Sequence, residues 1–149
     1  MSREIKFRAF DKSNKKMYYK GFWVNCKYPN SDGDICFDPK VFKPGYYNAL
    51  DIEVMQFTGL KDKNGKEIFE GNIIKGDYFL SDYYEFITGY VNYSEIDALF
   101  DVIKNSGLNY PMYRIDNSEI IGNIYENPEL LTPLAPATNH VSTSTDGKE

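Results

Sequence analysis

Six carboxylates, Asp51, Glu53, Glu67, Glu70, Glu119 and Glu126, lie near the most strongly patterned segments of this chain. Paired carboxylates can run acid–base hydrolysis on their own. The usual companions of a catalytic site do not accompany them. The single histidine, His140, sits in a segment rich in Pro, Ala, Ser and Thr, where no packed element would hold it against a nucleophile. That removes Ser–His and Cys–His arrangements. No phosphate-binding loop and no dinucleotide fingerprint occurs. Cys26 and Cys36 are the only cysteines, and with one histidine they cannot complete a four-ligand zinc site within one chain. In a reducing compartment they are expected to be free, partly buried thiols. Asp62 and Asn64 precede a glycine, as in a calcium loop, but EF-hand spacing would require ligands at Leu60 and Gly71. Carboxylates bordering strands are also what a solvated surface contains. The expectation is no catalytic residue, no metal and no cofactor.

Binding chemistry is better furnished. Arg3, Arg8, Lys61, Lys63 and Lys66 fall close to Phe7, Phe10, Phe57 and Phe69. Cations beside aromatic rings can hold a small anionic ligand, such as a nucleotide, by pairing and stacking. The candidate ligand-binding residues are therefore Arg8, Phe10, Phe57, Lys61, Lys63 and Lys66. Hairpin turns need lysines and cores need phenylalanines, so most of these have a structural explanation as well. Arg8 is the exception. It stands mid-strand between Phe7 and Phe10, where a buried charge must find a partner or a ligand. A second candidate surface comprises Tyr78, Tyr83, Tyr84, Tyr90 and Tyr93, because tyrosine is enriched at protein interfaces.

These residues must be positioned by strands. Thirteen tyrosines and ten phenylalanines, with few Ala and Leu, favour strands over helices. Arg3 to Phe10, a turn at Asp11–Lys15 and a return at Lys16–Tyr19 form a first hairpin. Glu53 to Thr58 alternates across two faces until Gly59. Asn64-Gly65 then signals a tight hairpin turn of type I′, and Ile68, Phe69, Ile73 and Ile74 form a second strand bent or bulged at Gly71. Gly21 to Cys26 and Ile87 to Tyr93 read as strands, as do Tyr110 to Ile115 and Glu119 to Tyr125. Glu129 to Leu131 makes a short helical turn. One packed α-helix is expected over Ser94–Asn105, with Ser94 as N-cap, Asp97 three residues on, and a stripe of Ile96, Leu99, Phe100 and Ile103. The fold class is mainly β, with hairpins forming a twisted sheet or partly closed barrel, plus that helix near 94–105. Residues 1–132 make one domain. Residues 133–149 lack the apolar content to offset their ordering entropy and are expected to be a disordered tail.

Three blocks of this chain resemble the YopX-type proteins of phages and prophages. The first is Arg3-Glu4-Ile5-Lys6-Phe7-Arg8-Ala9-Phe10-Asp11, in which Phe10 stands where that family often has tryptophan. The second runs from Met55 to Gly71 (MQFTGLKDKNGKEIFEG), followed by Asn72 where aspartate is more usual. The third is Ile121-Gly122-Asn123-Ile124-Tyr125-Glu126-Asn127-Pro128-Glu129-Leu130-Leu131. The resemblance implies a mainly β domain over 1–132, an origin in a phage or prophage of Gram-positive bacteria, and no catalytic residues. It places this chain beside accessory phage products that bind something of the host.

Charge and hydropathy narrow the setting. The formal net charge of −5 argues against a general nucleic-acid binder, which would carry a basic balance or stripe. Met1 to Phe10 alternates charges without a long apolar run, so no signal peptide and no transmembrane helix is expected, and the location would be the bacterial host cytoplasm. The expected function is a non-enzymatic accessory protein that binds a host component, first a host protein such as a defence factor. The alternatives are a small-molecule or nucleotide sequestering protein and a small β-barrel nucleic-acid binder. Exposed edge strands would also admit a homo-oligomer.

Overall fold

A short turn built on Asp11 closes the first hairpin. Strand β1 (Phe7–Asp11) reverses into β2 (Lys16–Tyr18), pairing Ala9 with Tyr18 and Phe10 with Met17. Asp11 fixes the reversal, because its carboxylate accepts the Asn14 backbone N–H at 3.0 Å and the Asn14 side-chain amide at 2.7 Å. The computed structural model describes residues 4–20 and 51–132, together with the backbone of 22–24 and 35–37. That backbone forms a two-stranded ribbon, β3 (Phe22–Val24) with β4 (Ile35–Phe37). Arg3, the expected tail 133–149 and the side chains of Trp23, Cys26 and Cys36 lie outside the described residues.

The long strand β5 (Ile52–Lys61) pairs with the other side of β1, setting Arg8 opposite Met55. It turns back into β6 (Glu67–Phe69), so the first sheet has the order β2-β1-β5-β6. Strand β5 continues past Gly59, whose φ of 86° bulges the ladder between the Phe57–Phe69 and Lys61–Glu67 pairs. The reversal at 62–66 differs from the expected type I′ turn. Gly65 has a φ of 80°, but Asn64 is not among the positive-φ residues. The Gly65 N–H bonds back to the Asp62 carbonyl at 2.9 Å, and the Asp62 N–H bonds to the Lys66 carbonyl at 2.8 Å. This is a three-residue loop closed by a left-handed glycine. The Asp62 side chain selects it by accepting the Asn64 and Lys66 N–H groups, each at 2.9 Å.

Gly71, expected to bulge one strand, instead passes the chain between sheets. Its φ is 75°, and strand β7 (Asn72–Phe79) pairs with β8 (Tyr84–Ser94) instead of β5. Strands β9 (Leu99–Ile103), β10 (Asn109–Pro111) and β11 (Ile115–Asn123) complete a second antiparallel sheet of order β10-β9-β8-β7-β11, curled into a half-barrel. Close approach at Gly89 supports the curl, since a Cβ there would lie 2.4 Å from the Ile103 carbonyl oxygen. The core collects Ile74, Tyr78, Ile87, Val91, Phe100, Val102, Tyr110 and Met112 from the half-barrel and its rim, and Ile68 from the first sheet. Two 3-10 turns, Met112–Arg114 and Pro128–Leu131, complete the described residues. The latter falls where the short helical turn is expected.

The helix expected over Ser94–Asn105 is absent, and the segment is a β-hairpin. Ser94 and Asp97 do make the capping contact, with the Asp97 N–H 3.3 Å from Ser94 Oγ. That contact closes a turn instead. Ala98 follows with a φ of 53°, which ends any helical run. Strand β9 then pairs Phe100 with Tyr93 and Val102 with Val91. In the strand Phe100 and Val102 share the core-facing side, Leu99 and Ile103 of the stripe fall on the other side, and Ile96 is 96% exposed. Tertiary pairing overrode a local capping signal.

Candidate functional site

Among the described residues, a buried cation and a group of exposed rings stand out as side chains held against their solvation preference. The first is Arg8. Its alternation in β1 turns it toward a cleft of about 540 Å³ between the first sheet and the β11 end of the half-barrel. The side chain is only 4% exposed. One terminal N–H bonds the Glu70 carbonyl at 3.0 Å, and the guanidinium lies 4.9 Å from the centre of the Phe69 ring. Nε is buried and has no hydrogen-bond partner. Burial pulls the Arg8 pKa below the ordinary arginine value, opposed by the facing Tyr19 hydroxyl, Glu126 and Tyr125.

The walls of this cleft come from elements that are themselves tied down. Asn72 accepts the Phe69 N–H at 2.8 Å and donates to the Gly122 carbonyl at 3.3 Å, so it bridges β6 and β11. An aspartate there could accept the first bond but could not donate the second. Asn123 accepts the Tyr125 and Glu126 N–H groups at 3.0 and 2.9 Å, and donates to the Glu126 carboxylate. Asp62 ties the 62–66 loop, and with it Lys66, to β11 by accepting the Ile120 N–H at 3.1 Å. Burial raises the Asp62 pKa, but the hydrogen bonds from Ile120, Lys66 and Asn64 outweigh it, so the carboxyl sits below its ordinary value.

Of the six candidate ligand residues, Arg8 and Lys66 line this cleft together. Phe10 faces a neighbouring cleft of about 520 Å³ and stacks on Tyr125 at 4.8 Å. Phe57 is buried against Phe69, with ring centres 5.5 Å apart. Lys63 pairs with Glu119, and Lys61 is exposed at the end of β5. Sequence reasoning missed Tyr19, Asn72, Asn123 and Asn127 as lining residues. Their contribution comes from the packing of two sheets, and no spacing in the chain signals it.

The six carboxylates do not converge. Glu67 pairs with Lys6 at 2.5 Å, Glu53 with Lys12 at 2.6 Å, and Glu119 with Lys63 and Lys75. Glu70 accepts the Gln56 N–H at 2.7 Å, Asp51 accepts the Ser13 hydroxyl at 2.7 Å, and Glu126 takes the Asn123 amide. Among the described residues no group of three or more His, Cys, Asp or Glu could hold a metal ion.

The second place is the turn end of the β7–β8 hairpin. Along β8, Ile87, Gly89 and Val91 point into the core, so Tyr84 and Phe86 point out. Phe79 lies across from Tyr84, with ring centres 5.1 Å apart, and Tyr83 precedes Tyr84 in the turn. All four rings are exposed, Phe86 by 65%. Arg114 borders the patch, donating to the Phe79 carbonyl at 3.1 Å. Of the five candidate interface tyrosines, Tyr83 and Tyr84 belong here. Tyr90 is half-buried further along the same strand face. Tyr93 points to the opposite face, edge-on to Phe100, beside a cleft of about 340 Å³. Tyr78 belongs to the core, where it meets Tyr110 edge-on at 4.8 Å. Phe79 and Phe86 were missed, although strict alternation outward from Ile87 would have found Phe86.

Residues 6–132 match the family described as YopX protein. The chain is also similar to a solved structure, the crystal structure of protein EF1440 from Enterococcus faecalis. The identity is 27% and the TM-score 0.54, and the match covers 88% of this chain and 100% of that one. No curated protein matches the chain. No helix among the described residues is long and apolar enough to cross a membrane, which says nothing about a β-barrel.

Proposed function

We propose that this chain, which belongs to the YopX family, is a non-enzymatic phage accessory protein that binds a host protein through the aromatic end of the β7–β8 hairpin. One observation carries the reading: Phe79, Tyr84 and Phe86 are exposed on one face at the turn end of the hairpin, with exposed Tyr83 in the turn beside them. Aromatic rings supply large contact area at low entropy cost and are enriched at the energetic centres of interfaces. Arg114, Asp77 and Asn117 surround the rings with polar groups, as a rim surrounds an interface core. The dispersed and paired carboxylates favour binding over acid–base turnover.

The test is capture from phage-infected host lysate on the immobilised full chain, beside a Phe86→Asp variant. The expected result is a stoichiometric host protein that survives moderate salt on the parent and is absent from the variant. Equal capture by both, or a clean eluate from both, contradicts the reading.

A further inference from the structure

Arg8 carries an unmet electrostatic need that a protein-binding face does not explain. Among the described residues it forms no ion pair, although its side chain is 4% exposed. A buried charge without an opposite charge is costly. The Glu70 carbonyl and the Phe69 ring offset part of that cost, and Tyr19 and Glu126 act on the guanidinium across the cleft. They leave Nε without an acceptor.

The rest of the lining shows what kind of group is lacking. Lys66 adds a second cation that forms no ion pair among the described residues. Of the two carboxylates of the lining, Glu67 is paired with Lys6, and Glu126, held by the neutral Asn123 amide, keeps its charge and acts on Arg8. With Glu67 paired to Lys6, the lining sets Arg8 and Lys66 against Glu126 alone, an excess of one positive charge. A cationic ligand would face Arg8 and Lys66, and an uncharged one could accept from Nε but would leave the excess positive charge unanswered. The volume of about 540 Å³ is in the range that small-molecule sites occupy. A guanidinium fork matches the planar oxygens of carboxylates and phosphates.

We infer that the cleft between β1, β6 and β11 binds a small molecule bearing an oxyanion, seated between Arg8 and Lys66. The oxyanion chemistry is shared by phosphate and carboxylate compounds, and three probes separate them: pyrophosphate, adenosine monophosphate and benzoate. The experiment is nuclear magnetic resonance on the 15N-labelled full chain, following the arginine Nε–H signals during each titration. The expected result is a saturable shift of the Arg8 signal with at least one probe. Lys66→Ala should weaken that binding about tenfold, the loss of one charge-assisted contact. Lys61→Ala, outside the cleft, should not change it. Arg8→Lys keeps the charge but loses the fork, and should bind more weakly if its spectrum is folded. Lys66 is exposed, so its variant keeps the test open if Arg8→Lys does not fold. Response to pyrophosphate and the nucleotide alone supports the phosphate source, and response to benzoate alone the carboxylate source. Absence of saturation with all three overturns the inference, as does equal weakening by Lys61→Ala and Lys66→Ala.

Discussion

Beside β6 a guanidinium is 4% exposed, while at the tip of β7 and β8 a phenylalanine ring is 65% exposed. Both residues lie on strands whose alternation sets their direction, and both reverse the usual partition of charge to water and rings to core. They differ in what depends on them. Arg8 is enclosed by the Glu70 carbonyl, the Phe69 ring and the wall that Asn72 and Asn123 build, so its surroundings are part of the fold. Phe86 stands mostly in solvent, and the core behind it is made by Ile87 and Val91 on the other face. The cleft should therefore couple ligand chemistry to stability, whereas the aromatic tip should be separable from stability.

The strongest way to break this contrast is Arg8→Glu. A carboxylate would be buried facing the Glu70 carbonyl and Glu126, and the expected destabilisation is about 3–5 kcal/mol by urea unfolding. A loss no larger than that of an ordinary surface substitution would show that the guanidinium is not embedded.

The next effect concerns the loop that carries Lys66. Asp62→Ala removes the acceptor for three backbone N–H groups, with an expected loss of about 2–3 kcal/mol. The depressed Asp62 pKa gives this contribution a direction in pH. It is fully present above the unfolded value of about 4 and is lost as pH falls through the lower folded value. The stability gap between the parent and Asp62→Asn should narrow in acid. A gap that widens there would reverse the assignment.

Gly65→Val acts on the same loop through the backbone alone. A Cβ there would meet nothing within 4 Å, but the φ of 80° disfavours any side chain. About 1–2 kcal/mol should be lost, measured as a fall in denaturation midpoint. An unchanged midpoint would contradict the left-handed closure. The smallest effect on folding belongs to Phe86→Asp, expected to cost about 0.5–1 kcal/mol, because the ring is mostly exposed and the cost is repulsion between the new carboxylate and Asp77 across the ladder. A large destabilisation would make the tip a structural element.

Much of this contrast was legible in the chain. The first hairpin, the glycine at the 62–66 turn and the exceptional position of Arg8 follow from turn chemistry and alternation, which act over a few residues. The β7–β8 rings were legible in part, since the tyrosine-rich segment was evident but its inward and outward faces were not separated. That is why Tyr78 was grouped with Tyr83 and Tyr84. Two features lay beyond local reading. The Ser94–Asp97 contact occurs at a helix start and in a tight turn alike, and only pairing with β8 decided between them. The walls of the Arg8 cleft come from distant segments joined by bonds such as Asn72 to Gly122, 50 positions apart, which no spacing encodes.

The most direct test of the account is a three-way capture from infected-host lysate, with the parent chain, Phe86→Asp and Lys66→Ala immobilised side by side after each is shown to melt like the parent. The account predicts one stoichiometric host protein on the parent and on Lys66→Ala, and none on Phe86→Asp. Retention of that protein by Phe86→Asp together with its loss from Lys66→Ala would contradict the account, and would move the host contact from the aromatic tip to the Arg8 cleft.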